Sequence, residues 1–197
     1  MDLLDPLRQI PWITFDAKLW LDRHVNESMS IFEWGSGGST LYFAKHARQV
    51  VSVDHNADWY QTVLATLSHE KLKNAECFLI PPQQSVWARF LPYTARTYVS
   101  RTFIEHRNLR FRSYVRKIES YRDGTFDLVM IDGRARAACL FHAVRKIKRG
   151  GYMVLDNAER PHYQSAMRRL SGLSRQDFCG HGPSCAEPWQ TTIWRIP

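Results

Sequence analysis

The chain has 197 residues, 44% hydrophobic and 23% charged, with ten Gly and nine Pro. These are globular proportions for one domain of ordinary size, and they exclude disordered and fibrous classes; no apolar run approaches the roughly 20 residues that span a bilayer. The net charge of +8 is concentrated between Gln84 and Arg122, where nine Lys or Arg face two acids, Glu105 and Glu119, so an anionic partner is expected to meet the chain there.

The first dozen residues carry two Asp and two Pro and lack a basic leader followed by an apolar core, so a cytoplasmic protein is expected. The four Cys, at 77, 139, 179 and 185, read as free thiols. Cys179 and Cys185 bracket His181, but a zinc site takes four ligands and only three are local, so that loop reads as incidental.

In chain order, residues 1–30 read as mostly helical, with Phe15, Leu19, Leu21 and Val25 near helical spacing. Met29–Glu33 is a short strand that ends in the glycine turn Gly35–Gly38. Ser39–His46 then opens a helix with hydroxyls available to cap it. Gln49–Val53 reads as a buried strand stopped by Asp54, Asp58–Lys71 as a helix, and Glu76–Ile80 as a third strand ended by Pro81 and Pro82. The basic, aromatic segment follows, with Ser113–Tyr121 its best helix. Phe126–Ile131 is a fourth strand ending at Asp132 and Gly133, and Ala135–Lys148 is a helix stopped by Gly150 and Gly151. Tyr152–Leu155 is a fifth strand ending at Asp156 and Asn157. A helix over His162–Leu170 and two late strands, Ser174–Phe178 and Thr191–Ile196, complete the chain.

Strands alternating with helices predict an α/β domain around a mostly parallel sheet, where ligands bind beyond the carboxyl ends of the strands. The glycine turn, Asp54, Asp132 and Asp156-Asn157 all fall directly after strands. Glycines let backbone approach a ligand closely, the following helix offers N–H groups, and Asp54, 21 residues after Glu33, is placed to accept ribose hydroxyls. Together these point to a nucleoside cofactor.

The runs E-x-G-x-G-G-S-T, V-V-S-V-D, F-D-L-V-M-I-D-G and G-G-Y-M-V-L-D-N resemble the motifs of class I S-adenosylmethionine-dependent methyltransferases over roughly residues 29–160. The resemblance implies a Rossmann-like, doubly wound, mostly parallel seven-stranded sheet with an antiparallel last strand. It implies one such domain over 1–197, with a helical cover at 1–28 and a basic aromatic insertion at 84–122. S-adenosylmethionine would be held by Gly35, Ser36 and Gly37 around its methionine part. Glu33 would take its ammonium group, Ser39 or Thr40 its carboxylate, Asp54 its ribose, and His55 would pack near its adenine.

A narrower resemblance is to metal-dependent catechol-type O-methyltransferases, which have an Asp after the fourth strand and Asp-Asn after the fifth. Asp132, and 24 residues on Asp156 and Asn157, supply oxygen ligands of that kind, suited to Mg²⁺ or Ca²⁺. This chain departs from the subgroup in following Asp132 with Gly133-Arg134-Ala135-Arg136, two cations beside a dication site, so the alternative is a metal-free polar site in which Asp132 salt-bridges an Arg or touches the cofactor's amino group. Asp132 is the residue expected nearest the acceptor. Arg134 and Arg136 would hold a carboxylate or phosphate on the acceptor, or lie at a solvated helix end. The acceptor is expected to be a small or sugar-containing molecule, methylated on a hydroxyl. Nucleic acid, met by the basic segment in a SAM-binding protein with or without catalysis, is the alternative. No membrane partner is expected, and the oligomeric state stays open. A nicotinamide oxidoreductase fits less well, because the third glycine of G-x-G-x-x-G would fall at Thr40. His162 and His181 are candidate bases, more simply read as structural.

Overall fold

A computed structural model describes residues 9–100, 106, 108–183 and 186–197. Phe103, Glu105, Cys185 and the first eight residues therefore lie outside the described residues. The elements are α1 (Phe15–His24), β1 (Ser30–Trp34), α2 (Gly38–His46), β2 (Gln49–Asp54), α3 (Ala57–His69), β3 (Ala75–Leu79), β4 (Gln83–Gln84), β5 (Leu109–Arg110), α4 (Arg112–Arg116), β6 (Phe126–Ile131), α5 (Arg136–Ala143), β7 (Ile147–Asp156), α6 (Gln164–Met167), β8 (Arg175–Gly180) and β9 (Trp189–Arg195).

Seven strands form one sheet in the order β3-β2-β1-β6-β7-β9-β8. β1 pairs in parallel with β2 and β6, and β6 with β7, whereas β9 runs antiparallel between β7 and β8. The expected Rossmann-like sheet with an antiparallel last strand is what the chain forms. All five residues of β1 are buried, as a parallel strand covered on both faces requires. Phe32 and Trp34 pack on one face beneath α4, α5 and α6, with Phe111, Tyr114 and Leu140; Ile31 packs on the other with Leu21, Leu41 and Val63 from α1, α2 and α3.

Two expected boundaries move. α5 gives way after Ala143 to a tight 3₁₀ turn, and β7 starts at Ile147, running through Gly150 and Gly151 instead of starting after them. Pairing explains this: Phe126 faces Ile147, the register shifts before Leu128, and Gly150, at φ +80°, donates its N–H to Ile196 O at 2.7 Å. The glycines bend a strand that tertiary pairing has already lengthened. In the basic segment, β4 and β5 form a short antiparallel ladder, and the expected helix appears as α4 followed by a 3₁₀ turn to Ser120.

Candidate active site

The turn after β1 is shaped by close backbone contact. Gly35 sits at φ +96° and donates its N–H to Val53 O at 2.9 Å. A Cβ on Gly35 would lie 2.8 Å from Gly133 N, and one on Gly133 would lie 1.9 Å from the Tyr114 hydroxyl. The loops after β1 and β6 therefore touch backbone to backbone, which only glycine at both positions allows. Asp54, at the end of β2, holds the turn: Oδ2 accepts from the Ser36 N–H at 2.9 Å and the Ser36 hydroxyl at 3.1 Å, and Oδ1 accepts from the His55 and Asn56 amides. Burial works to raise the Asp54 pKa, but the hydrogen bonds from His55 and the Asn56 amide outweigh it and hold the carboxyl below its usual range. From α3, the Trp59 indole N–H donates to Ser36 O at 2.5 Å, and its ring lies against Gly37.

Glu33, Ser39 and Thr40, the residues expected at the cofactor's ammonium and carboxylate, engage one another. Glu33 is 0% exposed, and its carboxyl accepts from Ser39 Oγ at 2.7 Å and from Thr40 Oγ1, which also accepts from the Gly37 N–H. These three side chains are turned toward one another beneath α2. The N–H groups of Gly35, Ser36 and Gly37 are taken within the fold, so what remains for a ligand is the first amides of α2, which no helical carbonyl can reach.

Burial pushes Glu33 from 4.5 up to about 7, against the hydrogen bonds of Thr40 and Ser39. As pH rises from about 4.5 to about 7, the unfolded chain ionises at this position while the folded chain keeps its proton, so folding stability falls across that window. Glu33→Gln is expected to remove this slope. The variant should be more stable than the parent at pH 8 and no more stable at pH 4, as read by urea denaturation at both values.

His55 lies just beyond the carboxyl end of β2, where the basic segment reaches the sheet. Its Nδ1 is 3.3 Å from Asp54 Oδ1, its Nε2 accepts from Arg134 Nε at 3.3 Å, and His106 and Phe111 approach its ring edge-on at 5.6 and 5.7 Å. Burial first, and then the charge of Arg134, push His106 down to about 4, so it is neutral at physiological pH. Arg134 thus reaches His55.

At the corner beyond β6 and β7 the chain forms the alternative to the metal site, an arginine salt-bridged to Asp132. Arg136 is 5% exposed. Its Nε donates to Gly133 O at 2.9 Å, Nη1 to Asp156 O at 2.6 Å, and Nη2 to Asp132 O at 2.7 Å. Nη2 also pairs with Asp132 Oδ1 at 2.7 Å, and Nη1 stands 3.7 Å from Asp156 Oδ2. Asp156 Oδ1 accepts from Trp189 Nε1 and Thr191 Oγ1, both at 2.8 Å. Asn157 follows at φ +53°, a turn conformation that Asn tolerates better than most residues. The guanidinium lies between the two carboxylates, where the expected dication would sit. Asp132, Asp156 and Asn157 therefore do not form a Mg²⁺ site, and Arg136 is not available to an acceptor. Among the described residues, no group of three or more His, Cys, Asp or Glu is placed to hold a metal. Burial, and then the charge of Asp132, push Asp156 up to about 7; burial also raises Asp132, against the pull of Arg136.

Beside this corner lies a cavity of about 440 Å³, walled by Trp12 and Trp189 and floored by Asp132, Asp156 and Asn157. Trp12 also packs 6.4 Å from Trp59, so the cavity adjoins the glycine turn. Sequence reading missed both Trp residues. The available signal was Thr191, which pairs with Asp156 and places Trp189 two residues before it at the same strand end. The two candidate histidines lie elsewhere: His162 packs edge-on Tyr93 and Tyr163, and His181 Nδ1 is 2.9 Å from Ala186 O.

A family model described as "Methyltransferase domain" matches residues 32–158, well over half of the chain. The chain belongs to this family. It is a class I S-adenosylmethionine-dependent methyltransferase, and its sheet has the corresponding strand order. Among solved structures, it is similar to a candidate O-methyltransferase from Klebsiella pneumoniae (14% identity, TM-score 0.66, covering 98% of this chain and 87% of that one). It is also similar to an rRNA methylase from Streptococcus thermophilus (10%, 0.59, 90% and 93%) and to a candidate methyltransferase from Streptococcus mutans in complex with S-adenosylhomocysteine (10%, 0.56, 98% and 94%). At such identities the likeness is one of fold. No curated protein sequence matches the methyltransferase significantly. Among its described residues, no helix is long and apolar enough to cross a membrane.

Proposed function

We propose that this methyltransferase transfers the methyl group to a hydroxyl of a small or sugar-containing acceptor, bound in the cavity beyond β6 and β7. The observation that carries the reading is that Asp132 lines this cavity together with Trp12, whose ring packs toward the glycine turn through Trp59. S-adenosylmethionine supplies an electrophilic sulfonium methyl. The acceptor oxygen forms a bond to that carbon as the carbon–sulfur bond breaks, and the hydroxyl proton leaves to a base. Asp132 is suited to receive it: it lines the cavity, and Arg136 fixes its carboxylate through Oδ1. The chain's further tasks are alignment and exclusion of water, for which Trp12 and Trp189 provide apolar walls. Gly35, Ser36 and Gly37 would cradle the methionine part through backbone, Asp54 would hold the turn and the ribose, and His55, with His106 and Phe111 of the basic segment, would border the adenine.

Calorimetric titration with S-adenosylmethionine and S-adenosylhomocysteine tests the cofactor assignment. Micromolar binding is expected, with at least a tenfold loss, about 1.4 kcal/mol, in Asp54→Ala. Because Arg136 already fills the cation position, binding and turnover are expected to be unchanged by EDTA and by added Mg²⁺. A metal requirement, or no binding of either sulfur nucleoside, would overturn the reading.

A second reading, a nucleic-acid acceptor, is favoured by one surface feature. Val86, Trp87 and Phe90 are 69%, 72% and 66% exposed in the basic segment, and Arg89 lies 4.6 Å over the Phe90 ring. Exposed aromatics beside cations suit base stacking and phosphate contact. Nucleic-acid binding that falls steeply with salt would support it.

A further inference from the structure

We propose that the cavity beyond β6 and β7 takes an uncharged or amine-bearing sugar ring and discriminates against anionic acceptors. The inference rests on the reading of that cavity as the acceptor site and adds the sign of the charge it selects.

The two arginines that the sequence offered for an acidic acceptor are committed elsewhere. Arg136 is locked beneath the cavity by three backbone carbonyls and two carboxylates, and Arg134 reaches His55. What lines the cavity is of the opposite sign. Glu159 and Glu187 add to Asp132 and Asp156, which share Arg136 beneath them, and Arg160 is the one cation among the described residues that line it, 3.8 Å from Glu159, so four acids stand against two arginines. A chain of net charge +8 thus presents an acid-rich pocket at this point.

The walls define the shape of the ligand. Trp12 is 36% exposed, and the Trp189 ring is fixed by its hydrogen bond to Asp156. An aromatic wall suits the C–H face of a sugar ring or the charge of an ammonium group. Carboxylates at the rim accept hydrogen bonds and donate none while ionised, so they match a ligand rich in O–H or N–H donors. A volume of about 440 Å³ is on the scale of small-ligand sites, roughly 300–1,000 Å³. A carboxylate or phosphate on the sugar would be brought beside like charges in a partly desolvated place, which costs affinity by repulsion.

The test uses the whole protein saturated with S-adenosylhomocysteine, whose binding is measured first. If that nucleoside does not bind, the failure belongs to the cofactor assignment. With it bound, methyl glucoside, glucosamine, glucuronic acid and glucose 6-phosphate are titrated, and tryptophan fluorescence and heat are read. Methyl glucoside and glucosamine are expected to bind at least tenfold more tightly than the two anionic probes. Glu187→Lys, a change at an exposed position, is expected to bring glucuronic acid about tenfold closer to methyl glucoside. Equal or tighter binding of the anionic probes, or no binding of any sugar to the nucleoside-loaded protein, would overturn the proposal. So would a Glu187→Lys variant whose preference does not move.

Discussion

Replacing Arg136 by alanine is expected to cost about 3–5 kcal/mol of folding stability, the range for removing one partner of a buried ion pair. The guanidinium meets the carbonyls of Gly133, Asp132 and Asp156 and stands between two carboxylates. Without it, Asp132 and Asp156 confront each other with their charges uncompensated. Asp156 already lies at about 7 with the arginine present, and its removal raises both carboxyls further. Raised folded-state pKa values make the loss larger as pH rises, so the deficit should be greater at pH 8 than at pH 5. Arg136→Lys should recover only part of it, since an ammonium group is a point charge and cannot reproduce the planar fork. Urea denaturation at the two pH values measures this, and a loss below about 1 kcal/mol would show that the guanidinium does not hold the corner.

Gly133→Ala is expected to damage stability and cofactor binding together. The new Cβ would stand 1.9 Å from the Tyr114 hydroxyl, 2.9 Å from Gly35 N and 3.0 Å from Trp34 C. Overpacking of this kind costs about 1–3 kcal/mol. The strain is delivered to the turn at Gly35, so affinity for S-adenosylhomocysteine should fall by tenfold or more. Tyr114→Phe removes the atom in closest conflict, and the double variant should regain part of the stability. The backbone contact with Gly35 remains, so binding should recover less. Melting curves and calorimetry on the four forms of the cycle give the coupling directly. A Gly133→Ala protein as stable and as tight-binding as its parent would contradict the packing described.

The sheet was legible because its signals are local. β-branched runs, the glycine turn and acids at strand ends each declare themselves within a few residues, and β1, β2, β3 and β6 lie within a residue or two of where periodicity puts them. The long start of β7 was not legible, because pairing with β6 and β9 overrides the two glycines that mark a break. At the site, the positions of Asp54, Asp132 and Asp156 could be read, and an Arg beside Asp132 as its alternative partner, but not the partners of the other two. Arg136 has one local cue, its i,i+4 spacing from Asp132 on a helix start; the contact with Asp156 needs the fold. The mutual engagement of Glu33, Ser39 and Thr40 is likewise a matter of which face of β1 the glutamate occupies, and Trp12 reaches the cavity from a segment with no motif at all.

Trp12 belongs to two compartments at once. One part of it packs toward Trp59, which is bonded to the Ser36 carbonyl of the donor's loop, and another lines the cavity assigned to the acceptor. A ligand that shifts this ring on one side changes what the other side offers. Donor and acceptor affinities are then thermodynamically linked through one side chain, and whatever factor the first ligand imposes on the second, the second imposes on the first.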